Sequence, residues 1–313
     1  MPSIFPSGPI SSVSTRDSVR TWIRPVPSAL RIAVRSTLDL ALKIQPWAQP
    51  PLRWQGGPYL IKNLIEFKNA VRVLIEGNVL ENSWVHAQAG FAIVWWATDQ
   101  EGTAPWATTS DITFRYNRVN NAAGGFQLTA HGDRSTSPWM TRVTIRHNLF
   151  TNIGTSSTGG GNGKLYQLNG PLSDMVIEHN TGFAPTSSVY FVGGATPMPG
   201  LSIRDNILGN GDYNVYSAVG QGTAAIVAYA GTENAFKGNV VVKPWSVSYP
   251  SGNYMTADLS AVGFTAWPSS PQLGGGSPYQ GRATDGTDPG ANVQAVVAAT
   301  QSAFVSSAYV ARR

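Results

Sequence analysis

Six asparagines fix what this chain can fold into, because each sits at the same point of a recurring segment. The segments are RVLIEGNVL (72–80), DITFRYNRV (111–119), RVTIRHNLF (142–150), DMVIEHNTG (174–182), GLSIRDNIL (200–208) and NAFKGNVVV (234–242). They align on Asn78, Asn117, Asn148, Asn180, Asn206 and Asn239, with gaps of 39, 31, 32, 26 and 33 residues. A period of this size marks a repeat architecture, in which one unit cannot bury its own apolar face and stacks on its neighbours.

The positions around each asparagine behave as columns. Three before it stand Ile75, Phe114, Ile145, Ile177, Ile203 and Phe236; five before it, Val73, Ile112, Val143, Met175 and Leu201. Two after it stand Leu80, Val119, Phe150, Leu208 and Val241, with Gly182 as the exception. Alternation at period two means strands with one face inward. Two before each asparagine the residue is charged (Glu76, Arg115, Arg146, Glu178, Arg204, Lys237), so that column faces water. His147 and His179 precede adjacent asparagines and are expected to stack on each other or to bond backbone.

Further strands read NLIEFKN (63–69), GFAIVWW (90–96), GFQLTAH (125–131), KLYQLNG (164–170), SVYFVGG (188–194) and NVYSAVG (214–220). With glycine-rich bends and no helices between strands, the chain is expected to be an all-β solenoid over residues 60–293. Asparagine at a fixed bend then hydrogen-bonds to the repeats on either side, giving a structural ladder rather than a catalytic row.

Composition agrees and excludes. Charged residues are 12% of the chain and hydrophobic residues 42%, which suits a large, turn-rich β protein. Cysteine is absent, so disulfide scaffolds, thiolate zinc sites and cysteine nucleophiles are excluded. No apolar stretch is long enough for a membrane-spanning helix. The net charge of +5 resides in residues 1–60, which hold seven basic and two acidic side chains; residues 61–313 hold fifteen of each. The folded body carries no basic stripe, so no nucleic-acid partner is expected.

Residues 1–27 read as an irregular or disordered segment without a signal-peptide pattern. In residues 28–44, Leu30, Val34, Leu38 and Leu42 recur at i+4 behind a possible Ser28 cap, which predicts a short amphipathic helix covering the first repeat near Ile65 and Phe67. Residues 294–313 read as a C-terminal tail or cap.

The I-x-x-N-x-apolar repeat resembles the right-handed parallel β-helix proteins of the pectate-lyase-like superfamily. SPYQGRATDGTDPGANV (277–293) resembles a closing segment of its bacterial members. KNLIEFKNAVRVLIEGNVLENSW (62–84) resembles a group of environmental β-helix proteins often labelled as hydrolases. The resemblance implies a carbohydrate-active enzyme, a polysaccharide lyase or glycoside hydrolase, working on an acidic or acetylated glycan. It also implies a secreted or periplasmic location; a monomer without membrane attachment is expected.

If Ile65, Phe67, Phe126, Leu128, Leu168 and Phe191 point inward, the outward column of the second strand set holds Glu66, Lys68, Val94, Trp96, Gln127, Thr129, His131, Gln167, Asn169 and Tyr190. Trp96 and Tyr190 suit sugar rings; Gln127, Gln167 and Asn169 suit hydroxyls. His131, beside Asp133 and Arg134, suits a general base oriented by a carboxylate. Resemblance to pectate lyases, which use clustered carboxylates for calcium and an arginine or lysine base, implies that Asp99, Glu101 and Asp133 would hold Ca²⁺ with Lys68 or Arg134 as base, and no organic cofactor is expected. The paired aspartates and Gly-His-Gly turn of polygalacturonase-like hydrolases are absent; AHG (130–132) gives only part of that turn. No G-x-S-x-G elbow occurs, and GGGNG (159–163) lacks the lysine and hydroxyl of a phosphate loop. Two alternatives stay open: a metal-assisted hydrolase of small esters or lactones using Asp99, His131 and Asp133, and a non-catalytic glycan-binding or adhesion module.

Overall fold

In the computed structural model the chain is mostly β and visits three parallel sheets in rotation. The structure describes residues 63–85, 89–98, 104–131, 138–155 and 161–301, together with two short strands, Ile32–Val34 and Leu42–Ile44. Sheet I takes Ala70–Glu76, Thr109–Arg115, Thr141–Arg146, Ser173–Glu178, Ser202–Arg204 and Phe236–Lys237. Sheet II takes Val79–Ser83, Arg118–Ala122, Leu149–Ile153, Thr181–Gly182, Ile207–Gly209, Val240–Val242 and Tyr254–Thr256. Sheet III takes Ile65–Phe67, Phe91–Trp96, Gly124–Thr129, Lys164–Asn169, Ser187–Val192 and Asn214–Ser217. Neighbouring strands of these sets run parallel, for example Val143 against Ile112 and Met175.

The apolar columns of the sequence are the interior. Ile75, Phe114, Ile145, Ile177, Ile203 and Phe236 are all buried, and Phe67, Trp95, Phe126, Tyr166 and Phe191 fill the space behind sheet III. Trp95 stacks on Phe67 at 5.4 Å between ring centroids and meets Phe126 edge-on at 5.3 Å. Phe126 in turn stacks on Tyr166 at 5.8 Å. Such contacts join one repeat to the next more than they join residues within a repeat.

The bend from sheet I to sheet II follows one recipe in every repeat. The residue before the asparagine lies in the left-handed region: Gly77, Tyr116, His147, His179, Asp205 and Gly238 have φ between 48° and 69°. That turn leaves the next backbone N–H without a sheet partner. The asparagine of the following repeat fills the gap: Asn117 N–H and Asn117 Nδ2 both donate to Asn148 Oδ1, at 2.9 and 3.1 Å. Asn148 repeats this onto Asn180, Asn180 onto Asn206, and Asn206 onto Asn239. The ladder runs from Asn78 and gains a seventh rung at Asn253, which accepts from Asn239. The expected stacking of Asn117, Asn148 and Asn180 in one buried row is therefore observed.

The charged column beside it is paired on the surface. Arg115 meets Glu76, and Glu178 receives both Arg204 at 2.6 Å and Arg146 at 3.9 Å. Solvated pairs of this kind contribute little each.

The N-terminal expectation is corrected. Ile32–Val34 and Leu42–Ile44 are strands, not parts of a helix; they pair antiparallel with Ala70–Glu76 and with Ile65–Phe67. The physical reason is the open edge that the first repeat offers to sheets I and III. A free ladder of backbone groups outweighs a weak local helix preference. The remainder of 1–62 lies outside the described residues, as do residues 302–313.

At the other end, helix α1 (Thr223–Ala230) buries Ala225, Ile226 and Tyr229, and Tyr229 stacks on Phe191 at 4.9 Å. From Tyr279 to Thr300 the chain turns back along the left-handed bends. Thr284 donates from its N–H and hydroxyl to Asp205, both at 2.6 Å, and Ala291 N–H donates to Thr181 Oγ1 at 2.9 Å. Asn292 N–H points at His147 Nδ1 (3.4 Å), and helix α2 (Val293–Thr300) crosses Gly77, where a Cβ would lie 2.5 Å from the Ala299 carbonyl oxygen.

This strap covers the two histidines. His147 stacks on His179 at 4.9 Å, as expected from sequence, and on Tyr116 at 5.3 Å. Burial, then the neighbouring His179 and Arg146, push His147 down from its ordinary 6.5 to about 4, against the opposing pull of Glu178 and Asp285. A histidine depressed in the folded state stabilises the fold above the unfolded value and loses that contribution as pH falls. Folding stability should therefore decline between about pH 6.5 and 4, and His147→Gln should flatten that decline. Urea midpoints measured across this window check it; equal slopes in both proteins would discount His147 as the sensor.

Candidate functional site

Register places the outward residues of sheet III in two straight rows. The first runs Glu66, Val94, Gln127, Gln167, Tyr190 and Tyr216, each paired with the next across a parallel ladder. The second runs Trp96, Thr129, Asn169 and Val192. Lys68 lies beside Trp96, with Nζ 5.8 Å from the ring centroid and 3.5 Å from Glu66 Oε1. Alternation along each strand explains the arrangement: Ile93, Trp95, Phe126, Leu128, Leu168 and Phe191 are buried, so their neighbours point out. Rows on adjacent strands are ~4.8 Å apart, so the face repeats at that step.

Gln127, Gln167, Asn169, Tyr190, Trp96 and Lys68 are all half-buried, so they line a surface rather than project from it. Asn169 Nδ2 donates to Thr129 Oγ1 at 3.1 Å. Its Oδ1 is buried without a partner, as is Trp96 Nε1. Both atoms belong to the second row.

His131 ends this face. Its ring stacks on Trp139 at 6.1 Å between centroids, and Trp139 is 47% exposed. Asp99, Glu101, Asp133 and Arg134 lie outside the described residues, on the segments that follow Trp96 and His131. Among the described residues no group of three acidic or histidine side chains is arranged to hold a metal ion, so a Ca²⁺ site would depend on Asp99, Glu101 and Asp133 themselves.

Three residues of this face were not picked out by sequence. Tyr216 continues the first row and stacks on Tyr190 at 4.4 Å, and Tyr213 leans on Tyr216 at 4.9 Å. Burial, with Tyr190 and Tyr213 adding to it, pushes the Tyr216 phenol up to about 12. The third is Lys164, whose Nζ sits 4.3 Å from the Tyr190 ring centroid. The V-Y pair shared by SVY (188–190) and NVY (214–216) was the signal for Tyr216.

The arrangement is a straight, half-buried strip of amides, phenols, an indole and two lysines. It can hydrogen-bond hydroxyls and carboxylates and cover apolar ring faces, over several repeats in line. No protein-family model matches the sequence, and no match to a curated protein is found. Among the described residues no helix is long and apolar enough to cross a membrane.

Proposed function

We propose that the chain is a right-handed parallel β-helix of the pectate-lyase-like kind, and that the outer face of sheet III binds and acts on an acidic or acetylated polysaccharide. Parallel strands joined by crossovers favour the right-handed sense. The observation that carries the functional reading is the unbroken first row from Gln127 through Gln167 and Tyr190 to Tyr216, flanked by the half-buried Asn169 and Trp96. A row at a fixed step suits a polymer of similar repeat better than a single small molecule. The enzyme class itself rests on analogy of fold. A polymer substrate would put the protein's work outside the cytoplasm, secreted or periplasmic.

The test is a panel of neutral, uronic and acetylated polysaccharides, assayed for unsaturated products, new reducing ends and released acetate, before and after dialysis against a chelator. Product from any acidic or acetylated polymer supports the reading; loss of turnover after chelation, restored by Ca²⁺ in the parent but not in an Asp99→Asn, Asp133→Asn protein, supports the Ca²⁺ ligand set. Cleavage of acyl-lactones or nitrophenyl esters with no polymer product would favour the small-ester hydrolase, for which the stacked His131–Trp139 pair is the nearest described chemistry. Binding on a glycan array without turnover would favour an adhesion module, to which the exposed Trp106 and Trp139 would contribute.

A further inference from the structure

Asparagine stands directly before glycine at three places, Asn162–Gly163, Asn169–Gly170 and Asn210–Gly211. Such a pair is chemically labile. Glycine carries no side chain to hinder its own amide nitrogen, which can reach the side-chain amide carbon of the asparagine before it. The reaction needs that nitrogen to be uncommitted and the side chain to fold back over it.

The fold treats the three pairs differently. Gly211 N–H donates to Asn214 Oδ1 at 3.0 Å, in a site so close that a Cβ there would lie 2.5 Å from the Ala184 carbonyl oxygen. Gly170 N–H donates to the Val192 carbonyl oxygen at 3.4 Å, and Asn169 Nδ2 is tied to Thr129 Oγ1 at 3.1 Å. Gly163 N–H donates to no acceptor among the described residues, while its carbonyl oxygen accepts from Thr186 N–H at 3.0 Å and Ser187 N–H at 3.2 Å. Asn162 Oδ1 accepts from Lys164 N–H at 3.4 Å, closing an Asx-turn that lays the side-chain amide against the Gly163 peptide.

We propose that Asn162 is a site of spontaneous deamidation, and that the fold selects it over Asn169 and Asn210. The inference stands apart from the glycan reading.

Each step uses groups already in place. Gly163 N attacks Asn162 Cγ, and the new N–Cγ bond pushes charge onto Oδ1, where Lys164 N–H donates to it. The Cγ–Nδ2 bond breaks, and ammonia leaves with the proton that Gly163 N has lost. Water then adds to one of the two carbonyl carbons of the cyclic imide. Opening on one side leaves an aspartyl residue, and on the other an isoaspartyl residue with an extra backbone atom. Either product sets a carboxylate two residues before Lys164, whose Nζ faces the Tyr190 ring at 4.3 Å, at the edge of the sheet III face. The isoaspartyl form also lengthens a bend without slack, since a Cβ on Gly163 would lie 2.8 Å from both Pro185 and Thr186.

The full-length protein is kept folded in mildly alkaline buffer and sampled over time by isoelectric focusing and peptide mass mapping, with isoaspartyl methyltransferase as a second reporter. The Asn162 peptide should convert first, at least about fivefold ahead of the other two, the factor set by breaking one ordinary hydrogen bond. In urea the three should convert at similar rates, because each is the same pair of residues. Asn162→Gln, which would have to close a larger ring, should lose the early acidic band and keep its melting curve; Asn162→Asp should comigrate with that band. Equal rates at the three sites in the folded protein overturn the proposal, as does earlier conversion of Asn169 or Asn210. An acidic band unchanged in Asn162→Gln overturns it, and so does a folded parent that converts nowhere while its unfolded chain converts. The same ranking in urea as in buffer overturns selection by the fold.

Discussion

Replacing Asn148 with leucine is expected to destabilise the fold by about 3–5 kcal/mol, since each buried polar group left unpaired costs roughly 1–3 kcal/mol. Asn148 Oδ1 is the acceptor for both Asn117 N–H and Asn117 Nδ2. Its own Nδ2 reaches Phe114 O, Arg146 O and Asn180 Oδ1. Leucine has similar bulk but satisfies none of these, and the site admits no water in their place because Asn148 and both neighbouring rungs are buried. The last rung provides the control. Asn253 makes four such bonds but is half-buried at the end of the ladder, where water can replace part of them, so Asn253→Leu should cost clearly less than Asn148→Leu. Urea unfolding at constant m-value reads both. An Asn148→Leu protein within 1 kcal/mol of the parent would mean the ladder is a by-product of stacking and not a cause of it.

The second large effect separates two adjacent tryptophans. Trp95→Ala should cost about 3–5 kcal/mol, as for other large buried aromatics, because the side chain fills the space between Phe67, Phe114 and Phe126. Trp96→Ala should stay within about 1 kcal/mol of the parent, since its ring lies half-buried on the outer face. On the proposed function, Trp96→Ala weakens polymer binding and Trp95→Ala acts only through folding. Similar losses of stability in the two variants would mean that the strand faces are assigned the wrong way round.

Sheets I and II and the interior were legible in the sequence because one bend is chemically fixed. Asparagine after a left-handed residue permits almost no insertion there, so the columns on either side stay in phase through all six repeats. Sheet III was legible less directly, from apolar alternation alone, yet Ile65, Phe67, Phe126, Leu128, Leu168 and Phe191 are inside as that alternation required. The N-terminal segment misled because an i+4 stripe over 28–44 ignores what lies next to it. Three-residue strands such as Ile32–Val34 are too short to show their own period, and their conformation is set by the edge they join. The site was legible in its rows and not in its diagonals. Gln127, Gln167 and Tyr190 share a column, so sequence aligned them. Lys164 pairs in register with Ser187, three residues before Tyr190, yet its Nζ lies 4.3 Å from that ring's centroid, a contact across the register that no column shows.

The returning segment from Tyr279 to Thr300 changes how such a stack comes apart. A linear array held by nearest-neighbour contacts alone unfolds from its ends, one unit at a time, with a broad transition. Here a single stretch of chain touches Asp205, Thr181, His147 and Gly77, which belong to the fifth, fourth, third and first repeats. Those units then cannot fray independently, because loosening one removes a partner from the brace that holds the others. If the chain is the proposed β-helix, a protein cut after residue 278 is expected to melt in stages where the intact chain melts at once.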